Sequence, residues 1–288
     1  MIIQNEVLTV DIAAKGAELQ SIVSIQTGLE YMWDANPAFW SKKSPVLFPV
    51  VGGLKNNSYQ FDGTVYHLNR HGFAREMNFV VTEHTDTSIT FLRNSNEETW
   101  AHYPFNFEFY VKYSLHGNRL DVTYIVKNKS EVTMFFSVGG HPAFKVPVAP
   151  GTSFEDYYLQ FSDVETADRW PLSKDGLIEL QSTPLLVNSD KIPLTKSLFY
   201  EDALVFKHLQ SSSVSIVSDK TVHGLKVSFG SFPFLGIWNF KDADFVCIEP
   251  WCGIADSVNA TGRLQDKEGI NQLQEAETFE RTWSVEVF

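Results

Sequence analysis

The stretch MFFSVGGHPAFK, residues 134–145, combines the pattern of a buried β-strand with a histidine at a turn. Aromatic and β-branched residues fill its first half, as they do in short strands that are covered on both faces. Gly139 and Gly140 permit backbone conformations closed to other residues, and Pro142 fixes the peptide after His141. The pattern predicts a strand that presents His141 at its end, although a histidine buried only for packing would have the same surroundings.

Alternating apolar and polar residues recur along the rest of the chain and predict many more β-strands. Residues 59–68 form a predicted hairpin, because Asp62-Gly63 between two alternating runs is a strong turn signal. A longer strand pair is predicted at 105–115 and 120–126. The polar segment 266–280 indicates a loop, and the span that ends at residue 198 is irregular and contains three prolines.

No long amphipathic helix, fixed repeat or polar linker interrupts this pattern. The sequence therefore predicts an all-β fold, a large antiparallel β-sandwich that forms one domain over residues 1–288. A pair of smaller sandwiches is the alternative, because the length alone allows two domains.

Composition limits the classes of function. Hydrophobic residues make up 43% of the chain and aromatic residues 14%, which supports a large core and excludes a disordered chain. The formal net charge of −12, without a basic run, argues against nucleic-acid binding. Because signal-peptide features and a long apolar run are both absent, we expect a soluble cytoplasmic protein without membrane contact. A homodimer is compatible with the sequence, which does not decide the oligomeric state.

Several other chemistries lack their motifs. Cys247 and Cys252 match neither a redox pair nor a zinc knuckle, so two reduced structural thiols are expected. His67 and His71 are four residues apart, but they follow a predicted strand and do not share a helix face, which disfavours a metal site. Nucleophile-elbow and phosphate-binding glycine motifs are missing. We therefore expect no metal site and no nucleotide chemistry.

Glu249 is the strongest candidate for a chemical partner of His141. It stands alone among the apolar residues of FVCIEPW, 245–251, where a charged group is costly unless it is paired or functional. Burial would raise its pKa from about 4.3 and make it a better base near neutral pH. The structural alternative is that Glu249 ends a strand at the surface or pairs with an arginine.

Four further residues suit an oxygen-rich ligand. His71 and Arg75, in HGFAR, are donors that flank a glycine, although a surface salt bridge would give the same pattern. Asp202 precedes an apolar strand signal and could accept from hydroxyls, or it is simply a turn residue. Trp238 offers a flat face for a sugar ring, while most aromatic residues on strands belong to the core.

Together these segments resemble the motifs of the aldose 1-epimerases (galactose mutarotases), and most closely the LacX-type branch of that family. The matching motifs spread from about residue 45 to residue 256, and their combination is specific although each one alone is weak. The segments are PVLFPVVG (45–52), HGFAR (71–75), GHPAF (140–144), DAL (202–204) and IEPW (248–251).

The resemblance implies a β-supersandwich with a sugar cleft on a concave sheet and no cofactor. It implies that His141 is the general acid on the ring oxygen and that Glu249 takes the proton of the anomeric hydroxyl. The ring would open to the aldehyde, the C1–C2 bond would rotate, and the ring would close on the other face. His71, Arg75 and Asp202 fall on positions that resemble contacts to sugar oxygens.

One position departs from the branch. Where Gly53 stands, branch members often carry an arginine near the sugar ring oxygen, and Lys55 is the residue we expect to replace it. The departure leaves open a second function, a non-catalytic carbohydrate-binding or sugar-sensing protein on the same scaffold. A polysaccharide-active enzyme is a third, because β-sandwich scaffolds carry many functions. The acidic composition shows no sign of the basic residues that a phosphosugar would need.

Overall fold

The computed structural model describes residues 1–288 and is built almost entirely from β-strands. The strands are β1 (Ile2–Gln4), β2 (Leu8–Ile12), β3 (Leu19–Ser24), β4 (Val46–Leu47), β5 (Ser58–Phe61), β6 (Thr64–His67), β7 (Val80–His84), β8 (Ser88–Asn94), β9 (Phe107–His116), β10 (Arg119–Asn128), β11 (Met134–Phe136), β12 (Val138–Gly140), β13 (Ala143–Lys145), β14 (Tyr157–Arg169), β15 (Thr183–Pro193), β16 (Leu204–Lys207), β17 (Ser213–Ser218), β18 (Thr221–Ser228), β19 (Phe234–Trp238), β20 (Phe245–Cys252), β21 (Asn271–Leu273) and β22 (Thr278–Val287).

Helical structure is confined to short connections. None of these helices has the length and apolar character needed to cross a membrane. They are the α-helix α1 (Glu97–Trp100) and 3-10 turns at Lys55–Asn57, Ala74–Glu76, Phe154–Asp156, Lys196–Phe199 and Leu264–Asp266.

Two large antiparallel sheets organise the fold. The larger has nine strands in the order β15-β14-β17-β18-β22-β10-β9-β8-β7. The smaller has six, in the order β16-β19-β20-β12-β4, with β13 also paired to β20. The prediction of an all-β antiparallel sandwich is confirmed, and the predicted hairpins at 59–68 and 105–126 are present as β5–β6 and β9–β10.

The main hydrophobic core lies between these two sheets. Along β9 and β10 every second residue is buried, which is the pattern of a sheet with one covered face. Phe48, which follows β4 of the six-stranded sheet, stacks on Phe109 of β9 with ring centroids 4.4 Å apart. Side chains from both sheets thus interdigitate in one continuous core.

Gly140 brings the strand β12 unusually close to the nine-stranded sheet. A Cβ at this position would lie 2.8 Å from the hydroxyl of Tyr124, which accepts a 3.0 Å hydrogen bond from the indole N–H of Trp283. The absent side chain lets β12 rest directly on this polar pair. Because successive strand residues point to opposite faces, His141 is directed to the outer face of the six-stranded sheet.

The outer face of the six-stranded sheet is also covered, by loops and a second apolar cluster. Val51, Ile178, Val205, Trp251 and Ile254 belong to this cluster. Every residue of β20 is buried as a result. This explains the continuous apolar run around Glu249, since a strand covered on both faces need not alternate.

The prediction of one strand through residues 134–138 is wrong. The run changes sheets at Ser137, because β11 pairs with β21 whereas β12 joins the six-stranded sheet. Ser137 donates its backbone N–H to the carbonyl of Pro49, 2.7 Å away, at this crossover. Apolar composition indicates burial, but it does not identify the strand with which a residue pairs.

Two strands occupy segments that the sequence indicated as irregular or as loop. β15 lies at the edge of the nine-stranded sheet and exposes many of its residues. An edge strand of this kind needs no strict alternation, and it tolerates prolines such as Pro184 and Pro193. β21 contributes only three residues inside the polar segment 266–280, too few for a periodic signal.

Candidate active site

A cleft of about 670 Å³ opens on the outer face of the six-stranded sheet. Its floor is formed by His141, which follows β12, and by Glu249 and Trp251 of β20, and its walls by the loops around residues 70–75, 172–178, 199–203 and 238–241. Six of the seven residues predicted to form the site line this cleft: His71, Arg75, His141, Asp202, Trp238 and Glu249.

Strand register places His141 beside Glu249. Gly139 pairs with Trp251, and two residues further along each antiparallel strand His141 lies opposite Glu249. β13 continues in the same register along β20 after this interruption. Nε2 of His141 is 3.4 Å from Oε2 of Glu249, a separation that is often shortened when a substrate binds.

Glu249 is almost completely removed from water, with 1% of its surface exposed. This burial raises the pKa of its carboxyl group well above the ordinary value, and the nearby charge of Asp202 adds to the increase. The positive charge of Arg70 acts in the opposite direction. Oε2 forms no hydrogen bond with another protein group, so an acceptor is directed into the cleft without a partner.

The pKa of His141 is shifted in the opposite direction to that of Glu249. Burial lowers its pKa to about 3, and the positive charges of Arg75 and Arg70 contribute to the decrease. Near neutral pH the imidazole is therefore neutral, while burial shifts the carboxyl group of Glu249 towards its protonated form. The 3.4 Å separation places the two side chains where they can share one transferable proton.

Three aromatic rings surround the imidazole of His141. Trp40 stacks on its face at 4.9 Å with an interplanar angle of 30°. Trp238 and His71 approach edge-on, with centroids 5.5 and 5.6 Å away. Trp40 is held in place because its carbonyl accepts a 2.8 Å hydrogen bond from the indole of Trp33. The rings exclude water from His141 and fix its plane.

His71 presents a hydrogen-bond donor to the cleft. The backbone N–H of Gly52 donates to Nδ1 of His71 at 3.1 Å, so the neutral imidazole carries its proton on Nε2. Burial lowers the pKa of His71 well below its ordinary value, which keeps the ring neutral. Its backbone is left-handed at φ +69°, a conformation rare outside glycine and frequent at functional sites.

Arg75 and Arg70 place two guanidinium groups near the floor of the cleft. Nη2 of Arg75 donates to the carbonyl of Arg70 at 3.0 Å, while its buried Nε has no partner. Arg70 packs against Gly176, where an added Cβ would lie 1.4 Å from Nη2 of Arg70. A side chain at position 176 would displace this guanidinium group, and the left-handed backbone of Gly176, at φ +72°, also favours glycine.

Asp202 lies on the wall of the cleft in a strained turn. Its φ is +85°, and its Oδ1 accepts the N–H of Ala203 at 2.7 Å. Left-handed backbone of this kind costs free energy and is retained where the surrounding structure imposes it. The arrangement leaves Oδ2 of Asp202 free to accept from a ligand hydroxyl.

The floor of the cleft also contains three residues whose side chains are close enough together to be considered as metal ligands. One ligand atom from each of His141, Cys247 and Glu249 lies within 4.8 Å of the others. Burial, together with the charge of Glu249, raises the pKa of the Cys247 thiol well above its ordinary value. Because metals bind the thiolate, this site opposes the ionisation that coordination requires.

Comparison with known proteins identifies the family to which the chain belongs. A sequence model described as aldose 1-epimerase matches residues 1–270. The chain belongs to the aldose 1-epimerase family. It is 35% identical to chromosomal and plasmid forms of protein LacX from Lactococcus lactis subsp. lactis, over 99% of this chain and 98% of each relative. The resemblance inferred from the sequence motifs is therefore confirmed.

Solved structures of similar proteins share the fold over their whole length. A galactose mutarotase related enzyme from Lactobacillus acidophilus is 42% identical with a TM-score of 0.95, and the match covers 100% of this chain and 97% of that one. A galactose mutarotase-like protein from Lactobacillus casei is 28% identical with a TM-score of 0.94, covering 100% and 99%.

Lys55 is the one predicted site residue that lies outside the cleft. It borders a separate, smaller cavity, and its Nζ is 3.5 Å from the carbonyl of Ala260. A Cβ on Gly53 would lie 3.5 Å from the carbonyl of Gly176, the residue that packs against Arg70. Arg70 therefore brings a cation to the region near Gly53, where the family resemblance indicated that an arginine is missing.

Arg70 and Trp40 are cleft residues with a clear role in the surroundings of His141 that the sequence analysis did not predict. Arg70 immediately precedes the HGFAR motif, so a wider view of that motif would have found it. Trp40 lies in the loop after β3, far from His141 in sequence, and carries no local signal. Its role depends entirely on the folding of that loop over the six-stranded sheet.

Proposed function

We propose that this protein is an aldose 1-epimerase that interconverts the α and β anomers of a free aldohexose. Family membership supports an isomerase that acts on a sugar. The observation that carries the specific proposal is the pair of His141 and Glu249, 3.4 Å apart at the floor of a cleft lined by further polar groups. Ring opening and closure need one group that gives a proton and one that takes it.

In the proposed reaction Glu249 accepts the proton of the anomeric hydroxyl while His141 donates to the ring oxygen. The electrons of the O–H bond form the aldehyde C=O, and the bond from C1 to the ring oxygen breaks. Rotation about C1–C2 then exposes the other face of the aldehyde. Closure reverses both proton transfers and yields the other anomer.

The buried pair suits this reversible chemistry because it holds a single proton. When the proton is on Nε2 of His141, Glu249 is the carboxylate that starts ring opening. After ring opening the proton is on Glu249 and His141 is neutral, which is the form that burial favours. Arg70 lowers the pKa of Glu249 and so reduces the free-energy difference between the two forms.

The remaining cleft residues would orient the sugar. We assign the Nε2–H of His71 and the guanidinium groups of Arg75 and Arg70 to sugar oxygens, because all three are donors that face the cleft. Asp202 would accept from a hydroxyl, and Trp238 would contact the apolar face of the ring. Such contacts hold C1 and the ring oxygen against the catalytic pair.

Polarimetry tests the proposal directly. Freshly dissolved α-glucose and α-galactose should reach anomeric equilibrium faster with micromolar protein than without it. Sugar binding without acceleration would support a non-catalytic sugar-binding or sugar-sensing protein instead. Failure of both sugars to bind or react would remove the free aldohexose as substrate.

The perturbed pKa values predict an unusual acid limb in the pH profile. A proton on His141 while Glu249 is also protonated would leave the pair without an acceptor for the anomeric proton, and with the pKa of His141 at about 3 this loss falls below pH 4. We therefore expect kcat/KM, corrected for the uncatalysed rate, to stay nearly constant from pH 7 to pH 5. If the histidine had the ordinary pKa of about 6.5, kcat/KM would fall roughly 25-fold in that interval.

Tryptophan fluorescence at each pH would confirm that the protein stays folded. A decline of kcat/KM with an apparent pKa near that of free histidine would contradict the low pKa proposed for His141.

Arg75→Ala is expected to weaken sugar binding about tenfold or more, because a charged hydrogen bond to the sugar is lost. Arg75→Lys should recover only part of the affinity, since lysine keeps the charge but not the planar donor group. Titration calorimetry with galactose measures both effects. Arg119→Ala, which changes an exposed arginine of the nine-stranded sheet, is the matched control. Unchanged affinity in Arg75→Ala would exclude Arg75 from the site.

A further inference from the structure

The backbone of His141 is held by the segment 43–45, which extends the strand β4. The N–H of His141 donates to the carbonyl of Pro45 at 3.1 Å. Two residues further along each segment, the N–H of Ala143 donates to the carbonyl of Lys43 at 2.8 Å. These contacts continue the antiparallel register in which β4 pairs with β12. Because β4 is an edge strand of the six-stranded sheet, the position of His141 depends on how firmly this segment is held.

Both pairs lack one of the two hydrogen bonds that residues exchange in an antiparallel ladder. Pro45 has no N–H with which to return the hydrogen bond of His141. The carbonyl of Ala143 accepts the N–H of Trp33 at 3.0 Å, and the N–H of Lys43 is directed away from the ladder. The ladder therefore holds the segment 43–45 by two hydrogen bonds alone, and its position depends on a further anchor.

Glu18 is the anchor of this segment. Its Oε1 accepts the N–H groups of Lys43 and Ser44, each at 2.9 Å. The residue is buried, with 8% of its surface exposed, and it does not line the cleft. Burial of a carboxyl group costs free energy unless hydrogen bonds replace those made to water. In Glu18 the replacement donors come from the backbone of the segment that holds His141.

The turn that carries Glu18 is itself fixed to the rest of the fold. The carbonyl of Ala17 accepts a 2.6 Å hydrogen bond from the hydroxyl of Tyr113, a buried residue of β9. Gly16 lies against the backbone of Arg75, since a Cβ on Gly16 would be 2.9 Å from the carbonyl oxygen of Arg75. Glu18 therefore connects a turn that is bonded to the nine-stranded sheet with the edge of the six-stranded sheet.

We propose that Glu18 is a positioning residue, which through residues 43–45 fixes the backbone of His141 and, with it, the distance between His141 and Glu249. The inference rests on the proposed function, in which that distance determines proton transfer. A displacement of about 1 Å at a reacting group can lower the rate on the order of 10²-fold. Because Glu18 does not line the cleft, loss of its side chain should lower kcat more than it changes KM.

The test measures kcat and KM for galactose by polarimetry in variants of Glu18. Glu18→Ala removes both acceptor contacts and should lower kcat roughly tenfold or more, with a change in KM of less than about threefold. Glu18→Gln keeps an oxygen acceptor and should retain kcat within about threefold of the wild type. If circular dichroism shows that Glu18→Ala is unfolded at the assay temperature, Glu18→Asp takes its place, because its carboxyl group is one methylene further from the segment.

Glu165→Ala is the matched control for a purely structural loss. Glu165 is also a buried acid, 2% exposed, and its side chain accepts the backbone N–H of Ser211 at 2.6 Å. It belongs to β14 of the nine-stranded sheet and does not line the cleft. Its removal should lower the free energy of unfolding and leave kcat unchanged. A loss of kcat in Glu165→Ala as large as that in Glu18→Ala would attribute both losses to general destabilisation and overturn the inference.

Equal losses of kcat in Glu18→Gln and Glu18→Ala would also overturn the inference. Burial lowers the pKa of Arg75, and the charges of Glu76 and Glu18 oppose this decrease. Equal losses would assign the effect to the charge of Glu18 and not to its contacts with Lys43 and Ser44.

Nuclear magnetic resonance of the His141 imidazole separates this inference from the proposed function. In protein with isotope-labelled histidine, the signals of His141 are identified by their absence in His141→Asn. They should shift in Glu18→Ala and stay as in the wild type in Glu18→Gln and Glu165→Ala. Unchanged signals in the folded Glu18→Ala or Glu18→Asp variant would overturn the inference, whatever the activity. If the wild type turns over no sugar, the proposed function fails, and the role of Glu18 stands or falls on these signals.

Discussion

Glu249→Gln and His141→Asn are each expected to lower kcat for anomer interconversion by about 10²- to 10⁴-fold, the usual contribution of a positioned proton donor or acceptor. The glutamine and asparagine side chains keep hydrogen-bonding groups in the buried floor but cannot exchange the proton that the pair shares. Because the two residues act in the same proton transfer, we expect kcat of the double variant to be less than tenfold below that of the slower single variant.

Matched substitutions on the nine-stranded sheet, Glu286→Gln and His116→Asn, test whether the loss is specific to the cleft. Both should retain the wild-type rate. Thermal unfolding by circular dichroism would show whether each cleft variant is folded at the assay temperature. Rates close to wild type in either folded cleft variant would exclude the proposed mechanism.

Breaking the buried ion pair of Asp256 and Lys267 is expected to lower the free energy of unfolding by about 3–5 kcal/mol. The carboxylate and ammonium are 2.9 Å apart, and their side chains are only 5% and 2% exposed. Oδ2 of Asp256 also accepts the backbone N–H of Lys55, and Nζ of Lys267 donates to the carbonyl of Ile254. Either Asp256→Asn or Lys267→Met leaves the partner charge buried without compensation.

Urea denaturation followed by circular dichroism measures this effect. The double variant should be less destabilised than the sum of the single variants, because no uncompensated charge remains. Removal of the exposed pair Lys226–Glu286 through Lys226→Met should cost less than about 1 kcal/mol and serves as the control. If Asp256→Asn and Lys267→Met each lowered the free energy of unfolding by less than about 1 kcal/mol, the stabilising role of the buried ion pair would be contradicted.

The same ion pair also supports the cleft. The backbone N–H of Asp256 donates to the carbonyl of Gly53, and its carbonyl accepts the N–H of Ile178, so the loop after β20 is connected to the segment at Gly53 and to the cleft wall at 172–178. One of these segments carries Gly176, against which Arg70 packs. Variants of Asp256 that remain folded should therefore also bind sugar less tightly than the wild type.

The proposed catalytic pair, His141 and Glu249, shows which features the sequence predicts and which depend on the fold. His141 was identifiable because two glycines and a proline mark a special backbone site after an apolar strand. Glu249 was identifiable because a lone carboxylate in an apolar run must have a reason. Their proximity was not derivable from either segment, since it depends on the register between β12 and β20.

Arg70 and Lys55 illustrate the limit of arguments from spacing. Lys55 is the cation closest in sequence to the unusual Gly53, yet its backbone is held by Asp256 and its side chain extends away from the cleft. Arg70 reaches the cleft because Gly176, more than a hundred positions later, leaves room for its guanidinium group. Trp40 likewise meets His141 only through the path of a long loop.

By itself the sequence determined the all-β class, the main hairpins, the family and six residues of the cleft, because alternation, turn residues and isolated polar groups are local properties. The change of sheets at Ser137, the distance between His141 and Glu249, and the position of Arg70 rather than Lys55 in the cleft follow only from the tertiary structure. Those features depend on contacts between segments far apart in the chain. Such segments pair and become buried together only when the two sheets pack, so no local pattern of residues can reveal the contacts.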